Sequence, residues 1–407
     1  MQNILSGLRV IEGSAFVAAP SGGMTLAQLG ADVIRFDPIG GGMDYRRWPV
    51  TNSNESLYWH SLNKGKRSIA VDIRRPEGQE ILSRLITLPG DDCGMFLTNF
   101  PAKGWLSYER LKELRKDLIY MNLIGDRHGR SALDYTVNCK VGFPSITGVG
   151  RADEIPPLNN PMPAWDVITG QQIALGLLAA ERHRSRTRQG QLVKIALADV
   201  ALSTLGNLGY IAEAMINETE REAIGNNIFG TFGQAFECND GERVMVVGVS
   251  PNQWKAIVSV SDTENQLQEL QERMGLDFRK EGDRYHGRDE ITAILKPWFK
   301  RRPFSQVSAE LDNAGACWGK YQTIHETVNS DIDCSTDNPM FQMVDQPGIG
   351  AYLMPDHPLQ FTGVNRDPVR RAPKLGEHTE EILAETLGLT GSEISKLFDG
   401  KVVASCG

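Results

Sequence analysis

The sequence predicts an α/β protein with a large, mostly parallel β-sheet and a second, smaller α+β domain. The chain has 407 residues, more than one ordinary hydrophobic core accommodates. Short apolar runs alternate with helical patterns over its first half, as expected for βαβ units. The pattern changes near residue 216. We therefore place a large domain at 1–215, a small domain at 216–325, and a C-terminal segment at 326–407 that returns to the large domain.

The first half contains five short apolar runs that predict the strands of the parallel sheet. They cover 8–11, 31–36, 68–73, 95–98 and 118–124. Helical patterns separate them at 24–29, 76–88 and 108–116. A longer helix is predicted over 167–180, where Ile173, Leu177 and Leu178 share one face. A strand over 193–197 extends the alternation.

Beyond residue 216 the order of the predicted elements is less regular. Gly225, Gly230 and Gly233 belong to a glycine-spaced loop. A strand is predicted over 244–249 and helices over 291–299 and 304–311, whereas the charged stretch 264–287 indicates exposed surface. A strand over 350–354 and a helix over 378–387 complete the C-terminal segment.

Composition and charge argue against several classes of function. The formal net charge of −8, with no basic tail to offset it, disfavours a nucleic-acid partner. The N-terminus lacks the pattern of a secretory signal, and no apolar run approaches about 18 residues, so we expect no membrane span. The six cysteines are scattered without a CxxC pair, which is typical of a reducing compartment. The cytoplasm is the expected location.

The common cofactor and metal motifs do not occur in the sequence. There is no phosphate-binding GxxxxGKS/T, no GxGxxG after the first strand, and no GxSxG nucleophile elbow. The seven histidines show no HxxxH or HExxH spacing, and no Cys/His cluster has the spacing of a zinc site, so we expect no metal. The triple glycine 40–42 could approach a phosphate, although a flexible turn is the more common explanation.

Asp166 is the most informative candidate residue. Pro161 and Pro163 keep the preceding backbone out of the helical conformation, which places Asp166 at or beside the N-cap of the predicted helix. The helix dipole and unpaired N–H groups favour an ionised carboxylate there, which could act as a nucleophile with donors ready for an oxyanion. From spacing alone, a helix cap without chemistry is the more common explanation.

Two further segments are candidates for ligand binding. The basic loop 63–67 precedes a strand and suits phosphate binding, although a solvated turn is the more common explanation. Asn99 and Phe100 end a predicted parallel strand, at the edge where ligands of α/β sheets usually bind. Asn99 could bond an amide and Phe100 could cover an apolar arm, or the pair only ends the strand.

Seven segments, spread in order along the chain, carry a family resemblance: 5–12, 26–35, 63–69, 99–100, the residues around Asp166, 190–193 and 375–379. Together they resemble the family III CoA-transferases, the CaiB/BaiF-like proteins, which include α-methylacyl-CoA racemases and bile-acid and carnitine CoA-transferases. The resemblance implies a Rossmann-like large domain in an interlocked-dimer CoA-transferase fold. It implies a homodimer acting on an acyl-CoA, with no cofactor beyond the CoA of the substrate.

The resemblance makes Asp166 the nucleophile. In the implied reaction its carboxylate attacks the acyl-CoA thioester, giving a mixed anhydride and free CoA thiolate. The thiolate then attacks the aspartyl carbonyl, which leaves CoA on the enzyme as a thioester. An acceptor carboxylate reverses the sequence and leaves carrying CoA. Such a covalent relay divides one difficult exchange into easier steps.

Eight positions match CoA-contacting positions of the family. Phe16, Val17 and Ala18 match the loop that meets the pantetheine. Val71 and Arg74 match positions near the nucleotide, and Asn99, Phe100 and Lys103 match the next loop. Two positions depart from the formyl-CoA transferases, which carry Gln at the position of Val17 and Arg at that of Pro38. A polar contact to a small acid is therefore missing, and adenine binding differs locally.

Segments 16–20, 36–42, 163–166, 335–341 and 346–350 indicate one branch of the family. They are similar to members that move CoA from the C1 to the C4 carboxyl group of one mesaconate in the 3-hydroxypropionate cycle. The resemblance therefore implies an intramolecular transfer on mesaconyl-CoA. Transfer to a separate small dicarboxylic acid is the main alternative. A CoA-binding protein without chemistry is a further one, and the presence of Asp166 disfavours it.

Racemisation is also disfavoured within the family. Racemases pair the aspartate with a histidine, and Leu133 at the matching stretch cannot move a proton, although Asp134 follows it. The loop from Gly225 to Gly233 matches the region where family members carry a glycine-rich lid. Arg46 and Arg47 are candidates to bind a distal carboxylate, with solvated surface the more common explanation for both.

Overall fold

The mostly parallel α/β architecture expected from the alternating apolar runs is confirmed. The structure is a computed structural model that describes residues 3–150 and 156–406. Two compact units are present, the first comprising Met1–Val141, Asn160–Glu218 and Ile332–Gly407, the second Gly142–Asn159 and Thr219–Asp331. The outermost limits of the predicted domains, residues 1 and 407, lie outside the described residues.

The strands lie close to the predicted apolar runs. In chain order they are β1 (Arg9–Gly13), β2 (Asp32–Asp37), β3 (Arg67–Val71), β4 (Met95–Thr98), β5 (Ile119–Ile124), β6 (Val149–Gly150), β7 (Gln191–Ala196), β8 (Ala223–Ile224), β9 (Phe232–Glu237), β10 (Arg243–Gly248), β11 (Cys317–Lys320), β12 (Phe341–Gln346), β13 (Gly350–Pro355) and β14 (Val403–Ala404).

The helices are more numerous than the sequence patterns predict. In chain order they are α1 (Ala18–Gln28), α2 (Leu57–Leu62), α3 (Pro76–Ile86), α4 (Tyr108–Leu114), α5 (Asp134–Lys140), α6 (Ala164–Thr187), α7 (Leu197–Asn207), α8 (Tyr210–Ile216), α9 (Pro251–Ser261), α10 (Glu264–Met274), α11 (Glu281–His286), α12 (Arg288–Lys300), α13 (Phe304–Ala314), α14 (Ile324–Ser330), α15 (Thr379–Glu381) and α16 (Gly391–Asp399). Short 3₁₀ turns cover Gly104–Leu106, Phe143–Ile146 and Ile332–Cys334, and a π-helical turn covers Ile382–Thr386.

The first unit is built on a seven-stranded sheet in the order β14-β3-β2-β1-β4-β5-β7. All neighbours are parallel except β14, which pairs antiparallel with β3. The chain proceeds outward on one side of β1 through β2 and β3, and then on the other side through β4 and β5. Such a reversal leaves a crevice at the carboxyl ends of β1 and β4, the usual ligand site of doubly wound sheets.

The central strands are buried on both faces, which explains why they appear in the sequence as continuous apolar runs. In β1 and β4 the side chains of Ile11, Phe96 and Leu97 have at most 1% of their surface exposed. Ile11 lies opposite Ile34 of β2 on one side and Phe96 of β4 on the other. Parallel strands covered by helices on both faces bury successive side chains in this way.

Helices α1 and α6 approach each other closely because two glycines face the contact. A Cβ atom on Gly22 would lie 2.8 Å from the Cγ2 of Ile173 and 2.9 Å from the carbonyl oxygen of Gly170. A Cβ atom on Gly170 would lie 2.0 Å from the Oγ of Ser21 and 2.9 Å from the carbonyl oxygen of Ala18. The absence of side chains at these positions sets the spacing between the first turns of the two helices.

The second unit contains a three-stranded antiparallel sheet in the order β11-β10-β9. Its core includes Phe236 and Phe299, whose rings stack with centroids 4.2 Å apart. Residues 142–150 and 156–159, which the sequence analysis assigns to the large domain, belong to this unit because β6 pairs antiparallel with β8.

The charged stretch 264–287, expected to be exposed surface, is helical and contributes to the second core. Helices α10 and α11 cover most of it. Leu267 and Leu270 are buried on one face of α10, and the guanidinium of Arg284 donates to the carbonyl oxygens of Phe278 and Val249. Two leucines mark the buried face of α10, and the buried residue of α11 is the charged Arg284, so the abundant charges concealed the helical period.

Gly170→Ala tests the helix contact. We expect the variant to unfold at lower urea concentration, with a loss of roughly 1–3 kcal/mol, because the new methyl group overpacks the contact. Gly176→Ala in the same helix is the matched control, since its Cβ would meet only the flexible methyl end of Met121 within 4 Å. Equal stability of the two variants in urea unfolding would contradict the predicted close approach.

Candidate active site

A cavity of about 520 Å³ opens in the first unit at the carboxyl ends of β1, β4 and β5. It lies where the strand order reverses, and its polar and apolar lining is that of a small-molecule site. The loops after these strands, the first turn of α6 and the first residue of α7 form its walls. Its lining includes Phe16, Val17, Ala18, Asn99, Phe100, Lys103, Asn122, Leu133, Asp166 and Leu197.

The cavity brings together Asp166 and six of the eight positions matched to CoA contacts. These six are Phe16, Val17, Ala18, Asn99, Phe100 and Lys103. Val71 and Arg74 do not line it: the Val71 side chain is packed in the core of the sheet, and Arg74 extends over the surface to Asp72. A place for these two residues near the nucleotide stays a prediction.

Asp166 is the third residue of α6, not its cap. Pro163 is at the N-cap and provides no side-chain hydrogen bond. The cap is supplied by another helix, because the carboxylate of Asp134 accepts the backbone N–H of Asp166 at 3.0 Å and that of Trp165. The backbone N–H groups that a capping side chain would normally bind are thus already satisfied. The carboxylate of Asp166 is left free to face the cavity.

A second contact fixes the same turn of the helix. The indole Nε1–H of Trp165 donates to the Oδ1 of Asn138 at 3.0 Å, and both residues are buried. Asp134 and Asn138 are four residues apart in α5, so both side chains lie on one face of that helix. Their common spacing is the sequence signal that identifies α5 as the support for α6, and sequence reasoning missed it.

The site does not keep Asp166 strongly acidic, contrary to the expectation from its place at a helix N-terminus. Burial, together with the negative charge of Asp134, raises the pKa of Asp166 to about 7, although the positive charge of Arg47 opposes this. Desolvation destabilises the ionised form, and a second carboxylate nearby destabilises it further. Asp166 therefore changes its charge near neutral pH.

The loop after β1 is held in an unusual conformation. Phe16 has a φ of 71°, in the left-handed region that residues with a β-carbon rarely occupy. Its N–H donates to the Oδ2 of Asp44 at 2.9 Å, and Asn99 bonds both the N–H and the carbonyl of Ala15. Side chains from two other loops thus hold the backbone that leads into α1.

Helix α1 begins at this loop and directs its N-terminus into the cavity. Val17 is its N-cap residue and Ala18 its first residue, and both line the cavity. The first N–H groups of an α-helix have no intrahelical acceptor. Together with the positive end of the helix dipole, they can stabilise an anion that forms beside Asp166.

A buried group of charged residues holds the loop after β1 in place. Arg35 is fully buried and donates to both carboxylate oxygens of Asp37 and to Asp44, at 2.8–3.3 Å. Lys66 bonds Glu12 and the carbonyl of Pro20, each at 2.8 Å. Every charge in this group has an oppositely charged neighbour, as charges removed from water require.

The basic loop 63–67 belongs to this buried group, so neither phosphate binding nor a solvated turn describes it. Asn63, Lys64 and Lys66 have at most 6% of their surface exposed. Lys64 donates to the carbonyl of Pro355, and Arg67 pairs with Asp32 and Glu381. Residue type and spacing could not distinguish a structural use of these cations from a phosphate site.

Two negative findings concern the described residues. Within 3–150 and 156–406, no group of three or more His, Cys, Asp or Glu residues is arranged to hold a metal ion. In the same part of the chain, no helix combines the length and apolar character that crossing a membrane requires.

Comparison with known proteins identifies relatives over the whole length of the chain. A sequence model of CoA-transferase family III matches residues 5–379. The 2-methylfumaryl-CoA isomerase of Chloroflexus aurantiacus is 58% identical over 405 residues, which cover 99% of this chain and 98% of that protein. The human succinyl-CoA:glutarate CoA-transferase is 27% identical over 418 residues, covering 99% of this chain and 91% of that protein.

Solved structures agree with these sequence relationships. The crystal structure of a CAIB/BAIF family protein from Brucella suis superposes with a TM-score of 0.77 at 26% sequence identity. The superposition covers 95% of this chain and 100% of that protein. The architecture of the chain is therefore that of the CaiB/BaiF proteins.

Asp134→Asn tests the electrostatic part of the site. The amide oxygen can still accept the two N–H groups of α6, whereas the negative charge is lost, so we expect the pKa of Asp166 to fall. The carboxyl band of Asp166, isolated by infrared difference against Asp166→Asn, gives its titration midpoint. Asp199→Asn, at the third position of α7, is the control. A midpoint that stays near 7 in the Asp134→Asn protein would show that burial alone sets it.

Asp166→Asn should stabilise the fold at neutral and alkaline pH. The pKa of Asp166 rises from 3.8 in the unfolded chain to about 7 in the folded protein. Its ionisation therefore opposes folding increasingly above about pH 4, and fully above about pH 7. Each tenfold change in proton affinity corresponds to about 1.4 kcal/mol. Allowing for partial solvation, we expect a gain of roughly 1–3 kcal/mol in the free energy of unfolding at about pH 8.

Urea unfolding at about pH 4 and about pH 8 measures this gain. The advantage of Asp166→Asn should largely disappear at the lower pH, where Asp166 is protonated in the folded state and only partly ionised in the unfolded chain. Asp199→Asn should give little change at either pH, because that side chain is exposed. An equal gain at both values would rule out ionisation as its cause.

Proposed function

This chain belongs to CoA-transferase family III, and we propose that it is an intramolecular CoA-transferase, an isomerase. It converts mesaconyl-C1-CoA (2-methylfumaryl-CoA) into mesaconyl-C4-CoA (3-methylfumaryl-CoA) within the 3-hydroxypropionate cycle. The observation that carries the proposal is the cavity that places Asp166 beside six positions matched to CoA contacts. The relative at 58% identity, named 2-methylfumaryl-CoA isomerase, supports the choice of substrate.

The first half of the reaction transfers CoA to the protein. A carboxylate oxygen of Asp166 attacks the C1 carbonyl of the thioester, and the carbon–sulfur bond breaks to release CoA thiolate and an aspartyl–mesaconyl anhydride. The thiolate then attacks the aspartyl carbonyl of that anhydride. The carbon–oxygen bond to mesaconate breaks, which leaves an aspartyl-CoA thioester and free mesaconate.

The second half repeats these steps at the other carboxyl group. The C4 carboxylate of mesaconate attacks the aspartyl thioester, which forms a new anhydride and releases the thiolate again. The thiolate attacks the C4 carbonyl and regenerates the carboxylate of Asp166. No net proton is consumed, since every nucleophile and every leaving group is an anion.

The raised pKa of Asp166 suits this role. A more basic carboxylate is a stronger nucleophile, and at a pKa of about 7 a large fraction remains ionised at neutral pH. The N–H groups at the start of α1 can stabilise the tetrahedral oxyanions and the CoA thiolate. Asp134 and Asn138 hold the first turn of α6, so the carboxylate needs little reorganisation before it attacks.

Retention of mesaconate distinguishes the intramolecular reaction. Both the anhydride and the aspartyl thioester hydrolyse in water, so the cavity must stay closed to solvent while they exist. A diacid that remains beside the aspartyl thioester also attacks at a high effective concentration. We propose that the loop from Gly225 to Gly233 serves as a lid, by analogy with the family.

Transfer to a separate dicarboxylic acid is the second candidate. It is favoured by the name of the human relative, succinyl-CoA:glutarate CoA-transferase, at 27% identity. Racemisation is less favoured because Leu133, which lines the cavity, has no ionisable group. A protein that only binds CoA would not need the raised pKa of Asp166, so this function is less favoured.

We further propose an interlocked homodimer as the working form, in line with the family. Large apolar side chains exposed in the single chain, among them Trp48 and Met215, support association with a second copy. All six cysteines are free, which is consistent with a reducing compartment such as the cytoplasm. We propose that CoA, as part of the substrate, is the only coenzyme involved.

Intact-mass spectrometry after brief mixing with mesaconyl-C1-CoA tests the covalent step. We expect the wild type to gain the mass of CoA, less water, on the peptide that contains Asp166. Asp166→Asn should show no adduct and should lose at least about three orders of magnitude in turnover, because the nucleophile is absent. Asp199→Asn keeps a carboxyl-to-amide change at the same helical position and should behave as the wild type. Full turnover by Asp166→Asn would refute the proposed mechanism.

Isotope labelling separates the two candidate transfers. Mesaconyl-C1-CoA is converted in the presence of a large excess of free mesaconate that carries ¹³C. An intramolecular enzyme yields unlabelled mesaconyl-C4-CoA, whereas transfer to a separate acceptor yields labelled thioester. Labelled product in proportion to the free acid would favour the second candidate.

A further inference from the structure

Arg47 lies next to the cavity in an arrangement that the reaction steps above do not use. Its guanidinium carbon is 5.3 Å from the centre of the Phe16 ring and 5.2 Å from the centre of the Tyr58 ring. Aromatic faces stabilise a guanidinium that stacks on them, and they hold its plane in a fixed orientation. The N–H groups at the edge of that plane are left for another partner.

The part of the chain that the structure describes supplies no acidic partner for this cation. Among the described residues, no carboxylate lies within ion-pair distance of the Arg47 guanidinium, whereas Arg35 has three carboxylates within that distance and Arg67 has two. The charge of Arg47 nevertheless reaches the nucleophile, since it lowers the pKa of Asp166. An exposed cation that influences Asp166 thus has no carboxylate partner within residues 3–150 and 156–406.

Tyr58 adds a second unused group at the same place. Its hydroxyl is buried and has no hydrogen-bond partner among the described residues. The nearby charges of Arg47, Asp166 and Asp44 all influence the pKa of Tyr58, although burial is the largest cause of its rise to about 12. A buried hydroxyl without a partner is unfavourable, so a bound group that accepts a hydrogen bond from it would remove that penalty.

The backbone conformation of Phe16 is part of this arrangement. The positive φ places its ring against Arg47, and the bond from its N–H to Asp44 holds it there. A non-glycine residue in this region is strained, and it persists where surrounding contacts demand it. The strain therefore occurs in a residue that both lines the cavity and contacts the guanidinium.

We propose that Arg47, with the hydroxyl of Tyr58, binds the second, free carboxylate of a dicarboxylyl-CoA and so determines the substrate class. The inference rests on the proposed function, since it assigns a role within the same site. In an acyl-CoA the pantetheine arm separates the phosphates from the thioester. Apart from the transient CoA thiolate and the tetrahedral oxyanions, an anion beside Asp166 during the reaction therefore belongs to the acyl part. The planar guanidinium can donate two parallel N–H groups to one carboxylate.

The same contact explains how the freed diacid is retained. After CoA has passed to Asp166, mesaconate carries two negative charges in a site that already contains Asp134. Without a cation this dianion would be repelled, and it would leave before its C4 carboxylate could attack. Arg47 can hold one carboxylate while the other faces the aspartyl thioester. It is therefore a specificity-determining residue that also opposes exchange with external acids.

Arg47→Gln tests the inference with two thioesters that differ only in the second carboxyl group. The substrates are mesaconyl-C1-CoA and methacrylyl-CoA, and the readout is the rate of CoA adduct formation on Asp166. We expect the variant to lose roughly 10- to 100-fold with the dicarboxylyl thioester, because a charge-assisted hydrogen bond is removed. With the monocarboxylyl thioester the change should stay within about twofold. Labelled free mesaconate should also enter the product more readily than in the wild type.

Arg46→Gln is the matched control, since this neighbouring arginine is exposed like Arg47 but has no ring stacked on it among the described residues. It should behave as the wild type with both thioesters. Arg47→Lys keeps the charge but not the planar pair of donors, so it should recover part of the rate with mesaconyl-C1-CoA. Circular dichroism shows whether Arg47→Gln folds. If it does not fold, Arg47→Lys takes its place in the test.

The outcomes separate this inference from the function on which it rests. If the wild type forms no adduct with either thioester, the proposed function fails and this inference with it. If the wild type forms the adduct but Arg47→Gln loses the same factor with both thioesters, or none with either, only the role of Arg47 is refuted. A loss of the same size in Arg46→Gln would also refute it.

Discussion

A fully buried arginine connects the sheet to the reaction cavity. Arg35 of β2 bonds Asp37 and Asp44, and Asp44 in turn accepts the N–H of Phe16. Charges removed from water are tolerated only when each is paired with good geometry, so this group cannot relax into looser arrangements. The strained conformation of Phe16 follows from it, as does the stacking of Phe16 on Arg47. A constraint deep in the fold thus determines the shape of the cavity wall.

At Asp166, the proposed nucleophile, two like charges lie close together instead of being paired with opposite ones. Asp134 satisfies the N–H groups of α6 while its own negative charge destabilises the ionised form of Asp166. One side chain therefore positions Asp166, the proposed nucleophile, and increases its basicity. The glycine contact between α1 and α6 sets where the first turns of these helices meet the cavity. Helix packing, capping and pKa are in this way parts of one arrangement.

The strands and the long helix could be predicted because their signals are local. Runs such as 95–98 are apolar because both faces of the sheet are covered, and Ile173 and Leu177 of α6 are buried on the face that their spacing predicts. Asp166 lies in the first turn of α6, beside the cap as the proline pattern predicts, but burial raises its pKa instead of keeping the carboxyl strongly acidic. The stronger reason to select Asp166 is that the segment around it resembles the nucleophile segment of the family. The basic loop 63–67 shows the limit of such reasoning, because its cations are structural.

The sequence by itself determined the fold class, the family and the candidate nucleophile, since these are recorded in the order and type of residues along the chain. Only the tertiary structure decided which charges are buried, which are paired and which remain available. Asp134 and Arg47 acquire their significance from contacts with residues 32 and 31 positions away, namely Asp166 and Phe16. Desolvation and Coulomb interactions depend on distances in space and on exclusion of water, and neither quantity is encoded in local spacing.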